Sequence, residues 1–343
     1  MKQLIILLAF LSHLVLSACA KTSRVSSNPP GSDTTAGPAT PAPAVTGGPN
    51  GFKGFNWADS HDNYSDTVVV PSGLSSSDDY ATVQAKADLI LSAFSQRGVN
   101  TIRLPVNPYS VAGNWWKAYA GAIDKALDKG MRVVLAYWEG TTAKDGLIDD
   151  TAQYWRMWQS VTTRYAASGN VWFEPFNEPF GYSVDNLKAL YAQWLARFPA
   201  IPAGRVLLDG TGYATGVNEI GADSRFAGCL LSFHMYTWFQ KNRTTVSDWE
   251  QTITSLAYPG RTILSEFGVP MTNGKDYLAA PGSDVEVAYL QGLTNALRAR
   301  TMGSVYWPGL RIGDSYSMLS LSGTTLATNS TSGLARLQYA WGN

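Results

Sequence analysis

From Phe52 onward, short apolar runs rich in Val, Leu, Ile and aromatic residues alternate with longer stretches whose apolar positions recur every three or four residues. The first pattern is that of a strand buried on both faces, the second that of an amphipathic helix; their alternation predicts a parallel sheet with crossover helices. The strand candidates are 54–57, 100–106, 132–138, 171–177, 205–210, 230–236, 262–268 and 303–307. Helical stretches fall between them, for instance 83–97, 116–129, 151–165, 186–198 and 285–300. Eight strands within residues 51–343 fit one (β/α)8 TIM barrel. A doubly wound sheet would have fewer strands and a Gly-rich first turn, and the chain contains no GxGxxG.

The first fifty residues follow neither pattern. Lys2 and the apolar stretch 4–16 have the charged start and short apolar core of a secretory signal, too short for a comfortable membrane span. Leu16-Ser17-Ala18-Cys19 resembles the lipobox of bacterial lipoproteins, which implies cleavage before Cys19 and lipidation of that cysteine. Residues 1–18 are therefore expected to be a lipoprotein signal peptide. The segment 19–50 is Ser, Thr, Pro, Gly and Ala with almost no large apolar side chain, so it cannot bury enough surface to fold and reads as a tether. As a coil it would hold the barrel on the order of 30 Å from the anchor. The expectation is export across the inner membrane and lipid anchoring at the outer membrane or surface of a bacterial cell, with Lys21 favouring the outer membrane of a Gram-negative source.

Charge narrows the partners. Lys and Arg number 26 and so do Asp and Glu, with a pI near 6.8, so the chain lacks the basic face that nucleic acid or an anionic membrane would need. The substrate is expected to be neutral, and the lipid the only membrane contact. Two cysteines, one of them Cys19, leave Cys229 alone in the folded part and exclude a disulfide framework. Three histidines, of which His13 lies in the leader, are too few for a typical imidazole metal site; no metal or other cofactor is expected, and a monomer is the default. Twelve Trp and 17 Tyr exceed what a core needs, and flat apolar faces with a polar edge are what sugar rings stack on.

In a barrel of this kind the active site forms where strands end. The strand ends here carry Arg103, Asn177-Glu178, His234, Tyr236, Glu266 and Trp307. Breaking a glycosidic bond requires one carboxyl to protonate the leaving oxygen and a second to meet the positive charge at the anomeric carbon. Glu178 suits the acid/base and Glu266 the nucleophile, since strands four and seven face each other across the mouth. Carboxyl groups roughly 5 Å apart would give retention through a covalent glycosyl-enzyme. Arg103 and the Tyr236 hydroxyl would stabilise the charge on Glu266, and Asn177 would donate to the sugar 2-hydroxyl. His234 would orient the acid or pass it a proton, and Trp307 would lie under the ring at the cleavage site. Trp57, Trp138 and Trp238 could each wall a neighbouring ring or pack in the core. Glu139, just after strand three, is a candidate substrate contact; Glu174 is expected inside the barrel, paired with Arg103 or Arg132.

These motifs together resemble glycoside hydrolase family five, the cellulase and mannanase family. Asn177-Glu178-Pro179, preceded by Trp172-Phe173-Glu174-Pro175-Phe176, is similar to its acid/base motif, and Leu264-Ser265-Glu266-Phe267-Gly268 to its nucleophile motif. Arg103, His234, Tyr236 and Trp307 fall where that family places its other active-site residues. The resemblance implies retaining hydrolysis of a β-linked poly- or oligosaccharide, β-1,4-glucan first and internal cleavage favoured, with exo-acting β-glycosidase or β-mannanase as alternatives. One departure stands out: where members carry a histidine after strand three, this chain reads Ala136-Tyr137-Trp138-Glu139-Gly140, so Tyr137 or Trp138 would take its place. The polar first loop, 56–63, could close the non-reducing end. A non-catalytic glycan-binding lipoprotein is the reading from another class, and paired carboxylates on opposite strands argue against it. No GxSxG supports a serine nucleophile.

Overall fold

A computed structural model describes residues 49–343. The expected signal peptide, Cys19 and nearly all of the tether lie outside the described residues.

The strands are β1 (Lys53–Trp57), β2 (Thr101–Val106), β3 (Arg132–Tyr137), β4 (Val171–Glu174), β5 (Leu207–Asp209), β6 (Leu230–Met235), β7 (Thr262–Phe267) and β8 (Ser304–Leu310). They pair in parallel in the order β4-β3-β2-β1-β8-β7-β6-β5, and a parallel bridge between Phe173 and Val206 joins the two ends, so the sheet closes on itself. A helix follows each strand: α1 (Tyr80–Ser95), α2 (Trp115–Asp128), α3 (Thr151–Tyr165), α4 (Val184–Arg197), α5 (Val217–Gly221), α6 (Val246–Thr254), α7 (Val285–Arg300) and α8 (Thr331–Ala340). This is the expected (β/α)8 barrel.

Local chemistry fixes the helix starts. Asp79, Asp150, Ser183, Asp284 and Ser330 each accept a backbone N–H from the first turn, and Thr245 and Asp248 form a reciprocal capping box. Period two then sorts the strands: Ile102, Leu104 and Val106 join the large apolar cluster that includes the helices, while Arg103 between them is buried among polar side chains. A separate apolar plug, including Phe52, Trp172 and Ile263, fills the barrel below. Above it lies a buried polar layer that includes Asn56, Arg103, Glu174 and Asp209. Asn56 donates its amide hydrogens to the carbonyls of Ser265, Val305 and Tyr306, which ties β1 to β7 and β8 beneath the site.

The boundaries differ from the reading of the sequence where backbone geometry intervenes. β4 stops at Glu174, not at residue 177, because Pro175 has no N–H for the ladder and Glu178 sits in the left-handed region at φ 52°. β8 runs on to Leu310 and carries a hairpin, β9 (Leu319–Ser322) with β10 (Thr325–Thr328). That hairpin, α8 and the short helices after β5 and β6 were too brief or too weakly periodic to be legible.

Candidate active site

The site is built around Arg103. Its guanidinium donates to both oxygens of Glu174 at 2.6 and 2.8 Å, to Glu266 Oε2 at 2.9 Å, to Asn177 Oδ1 at 2.7 Å and to Asn56 Oδ1 at 2.9 Å. Burial opposes its charge, but Glu174 and Glu266 more than offset that, so it stays protonated. Glu174 thus pairs with Arg103 and not with Arg132, whose guanidinium lies over Phe52 and Trp172 instead.

Tyr236, just after β6, donates to the other oxygen of Glu266 at 2.9 Å. Across the mouth, Glu178 Oε1 lies 3.0 Å from His234 Nδ1, and Glu178 Oε2 accepts from the hydroxyl of Tyr64 at 3.3 Å. A carboxylate oxygen of Glu178, a ring nitrogen of His234 and a carboxylate oxygen of Glu266 all fall within 4.8 Å of one another. Asn177 has its Oδ1 held by Arg103 and its Nδ2 directed at the hydroxyl of Tyr64, 3.3 Å away, a residue that lines the cleft.

Burial raises the pKa of both glutamates, and their partners then separate them. Glu178 is pushed up to about 7, chiefly by burial, with Arg103 and the Tyr64 hydroxyl pulling the other way. Glu266 is also raised by burial, but its direct partners include a permanent cation. Glu178 has only a phenol and an imidazole, and burial lowers His234 to about 4, so that imidazole is neutral at pH 7. Charge therefore settles on Glu266 and the proton on Glu178.

Two groups at the site escaped the reading of the sequence. Tyr64 comes from the loop after β1, a stretch with no periodicity to mark it. Asp209, the last residue of β5, accepts the backbone N–H of Glu178 at 2.9 Å and so holds the left-handed turn that presents the Glu178 carboxyl. Its carboxyl is pushed well above the usual range by burial, and its Oδ2 lies 3.9 Å from His234 Nε2. As a strand-end carboxylate, Asp209 could have been found by the rule that picked out Glu178.

The aromatic candidates divide. Trp307 and Trp138 stack at 5.5 Å between ring centroids and line the cleft, as does the half-exposed Trp238, which lies parallel to Tyr236 at 4.3 Å. Trp57 does not: it is fully buried, packs on Phe94 and donates Nε1–H to Ser72 O at 2.8 Å. Its neighbour Asn56 points into the barrel, so alternation sends Trp57 outward into the helix layer. Glu139 is likewise no substrate contact; buried, it accepts the N–H groups of Asp145 and Gly146 and pins the loop after β3. Of the two substitutes proposed for the missing histidine, Trp138 lines the cleft, whereas Tyr137 is buried between Tyr154 and Phe176.

Paired carboxylates at the mouth of a (β/α)8 barrel, one bonded to a permanent cation and the other to a phenol and an imidazole, within a cleft of about 810 Å3 walled by tryptophans, define a glycoside hydrolase. Residues 63–308 match the family described as Cellulase (glycosyl hydrolase family 5), and the chain belongs to that family. Solved structures agree in fold. The catalytic domain of the major endoglucanase from Xanthomonas campestris pv. campestris matches at 16% identity and TM-score 0.60, over 85% of this chain and 95% of that one. An endocellulase from Pyrococcus horikoshii, solved with cellotetraose, matches at 17% identity and TM-score 0.61, over 84% and 92%. The catalytic domain of a Thermobifida fusca endoglucanase matches at 17% identity and TM-score 0.55, over 74% and 86%. No curated protein matches the chain.

Proposed function

We propose that the enzyme hydrolyses β-glycosidic bonds of glucan-type chains with retention of anomeric configuration, through a covalent glycosyl-enzyme on Glu266. The observation that carries this reading is that an oxygen of the Glu178 carboxylate and an oxygen of the Glu266 carboxylate lie within 4.8 Å of each other. An inverting enzyme needs roughly 6.5–9.5 Å between its carboxyl groups to seat a water, whereas a retaining one needs only about 5–5.5 Å. In the first step Glu266 attacks the anomeric carbon while Glu178 gives its proton to the departing oxygen. In the second, Glu178, now ionised, takes a proton from water arriving on the same face. Tyr236 and Arg103 hold Glu266 in line, and Asn177 is set to donate to the 2-hydroxyl as the ring flattens.

A glucan backbone is favoured because the fold relatives include enzymes solved with cellotetraose and cellopentaose. The charge at the cleft supports a neutral sugar: Lys144 pairs with Asp62, and Arg311 with Asp314.

Activity tests the acid directly. The kcat/KM should fall above about pH 7, where Glu178 loses the proton it must donate. Glu178→Gln should slow glycosides with poor leaving groups about 10²- to 10⁴-fold, spare dinitrophenyl glycosides by comparison, and abolish the alkaline limb. Equal losses for good and poor leaving groups would remove Glu178 from the role of acid.

A further inference from the structure

We propose that the loop joining β1 to α1 is a fixed strap that closes the glycone side of the cleft after a single sugar ring. The enzyme would then release monosaccharides from non-reducing chain ends. This inference rests on the retaining-glycosidase reading and adds where along the chain the enzyme cuts.

Several anchors fix the strap over the ends of β1 and β2. A bridge pairs Asp59 with Pro71, and Asn107 Nδ2 donates to the carbonyls of Ser65 and Thr67 at 3.0 and 2.8 Å. Trp115 Nε1 donates to Val69 O at 2.9 Å, and Val69 N–H to Ser110 Oγ at 2.8 Å. Sideways, the strap is tied to both neighbouring walls. Toward the loop after β3, Thr142 donates its N–H and its hydroxyl to the Asp66 carboxylate, and Lys144 pairs with Asp62 at 3.6 Å. Toward the loop after β8, Arg311 donates to His61 O and Ile312 N–H to Ser72 Oγ, each at 3.0 Å. The loop after β3 is itself pinned by Glu139, and Gly146, at φ 75°, lies so close to the backbone of Phe180 and Gly181 that a Cβ there would clash. The wall therefore runs unbroken from β8 past β1 to β4.

Its inner surface meets the reacting centre. The Tyr64 hydroxyl touches both Glu178 and Asn177, and its ring edge rests on Trp138 at 4.8 Å. Tyr64 lines the cleft next to Glu178, with Asp62 and Lys144 of the tied loops beside it, so the strap itself forms the pocket wall at the reacting centre. The opposite side is built for a longer partner. Glu178 protonates the oxygen that leaves, so the departing chain lies toward the loops after β4, β5 and β6. There Phe180 stacks on Tyr213 at 4.3 Å and Tyr213 on Phe239 at 5.7 Å, beside the half-exposed Trp238. Tyr213 and Ala214 are both held at positive φ, a strained backbone that keeps the exposed Tyr213 ring in this row. A groove open at both ends would suit internal cleavage; a pocket with one wall and one aromatic apron suits chain ends.

The test uses the full chain on β-1,4-linked gluco-oligosaccharides labelled at the reducing end, on a soluble β-glucan, and on aryl β-glucosides. Chain-end action predicts that labelled oligomers shorten by one sugar at a time, that glucose is the sole early product, and that viscosity falls little as reducing ends accumulate. Asp66→Ala, which frees the strap from the loop after β3, should leave aryl β-glucoside turnover within about twofold while internal fragments appear. Internal fragments from the wild type, with an early drop in viscosity, would overturn the strap and leave the glycosidase standing. Failure to hydrolyse any of the three substrates would overturn the glucosidase reading and the strap with it.

Discussion

Glu266→Gln should cost about 10⁵-fold in kcat on every substrate, equivalent to roughly 7 kcal/mol of barrier, whatever the leaving group. The amide keeps the size of the side chain and its contacts with Arg103 and Tyr236, 2.9 Å on either side, but lacks the charge that the proposed attack on the anomeric carbon requires. Loss here should contrast with loss at Glu178, which depends on the leaving group. Removing the side chain as well, in Glu266→Ala, opens room for a small anion. Azide should then restore turnover and yield a glycosyl azide of α configuration, because the anion enters from the face that Glu266 vacated. Residual activity near a hundredth of wild type in Glu266→Gln, or azide without effect in Glu266→Ala, would place the nucleophile elsewhere.

Arg103→Met should damage folding as well as catalysis. Arg103 is buried and neutralises Glu174 and Glu266 while also binding Asn177 and Asn56. Breaking a buried ion pair by removing one partner costs about 3–5 kcal/mol, because the remaining charge stays desolvated. Denaturant unfolding should show that loss, and Arg103→Met combined with Glu174→Gln should recover part of it by removing one orphaned carboxylate. Arg103→Lys should rescue little, since an ammonium cannot span Glu174 in two parallel bonds and still reach Glu266. A variant as stable as wild type would mean that the ion pairs of Arg103 with Glu174 and Glu266 contribute nothing net to folding.

How far the sequence leads is clear from particular residues. Glu178, His234, Tyr236 and Glu266 stand at or near strand ends, and Arg103 lies within β2 with its side chain inside the barrel beneath them; closure of an eight-stranded barrel brings such positions together, so alternation and strand counting sufficed to collect them. For Trp57 aromatic character alone left cleft wall and core open, and alternation from Asn56 decides for the core by sending it outward. Glu139 was misread because an acidic residue after a strand can satisfy backbone N–H groups as readily as face a ligand. Tyr64 was beyond reach, because its position depends on tertiary anchors spread over the ends of β2, β3 and β8, and no periodicity within the loop encodes them.

The central claim is retention through a glycosyl-enzyme, and proton NMR of the first turnovers tests it most directly. Hydrolysis of an aryl β-glucoside, followed before mutarotation sets in, should show the β-anomer of the released sugar first, with the α-anomer growing in later. Initial appearance of the α-anomer would mean a single displacement by water and would contradict the roles assigned to Glu178 and Glu266.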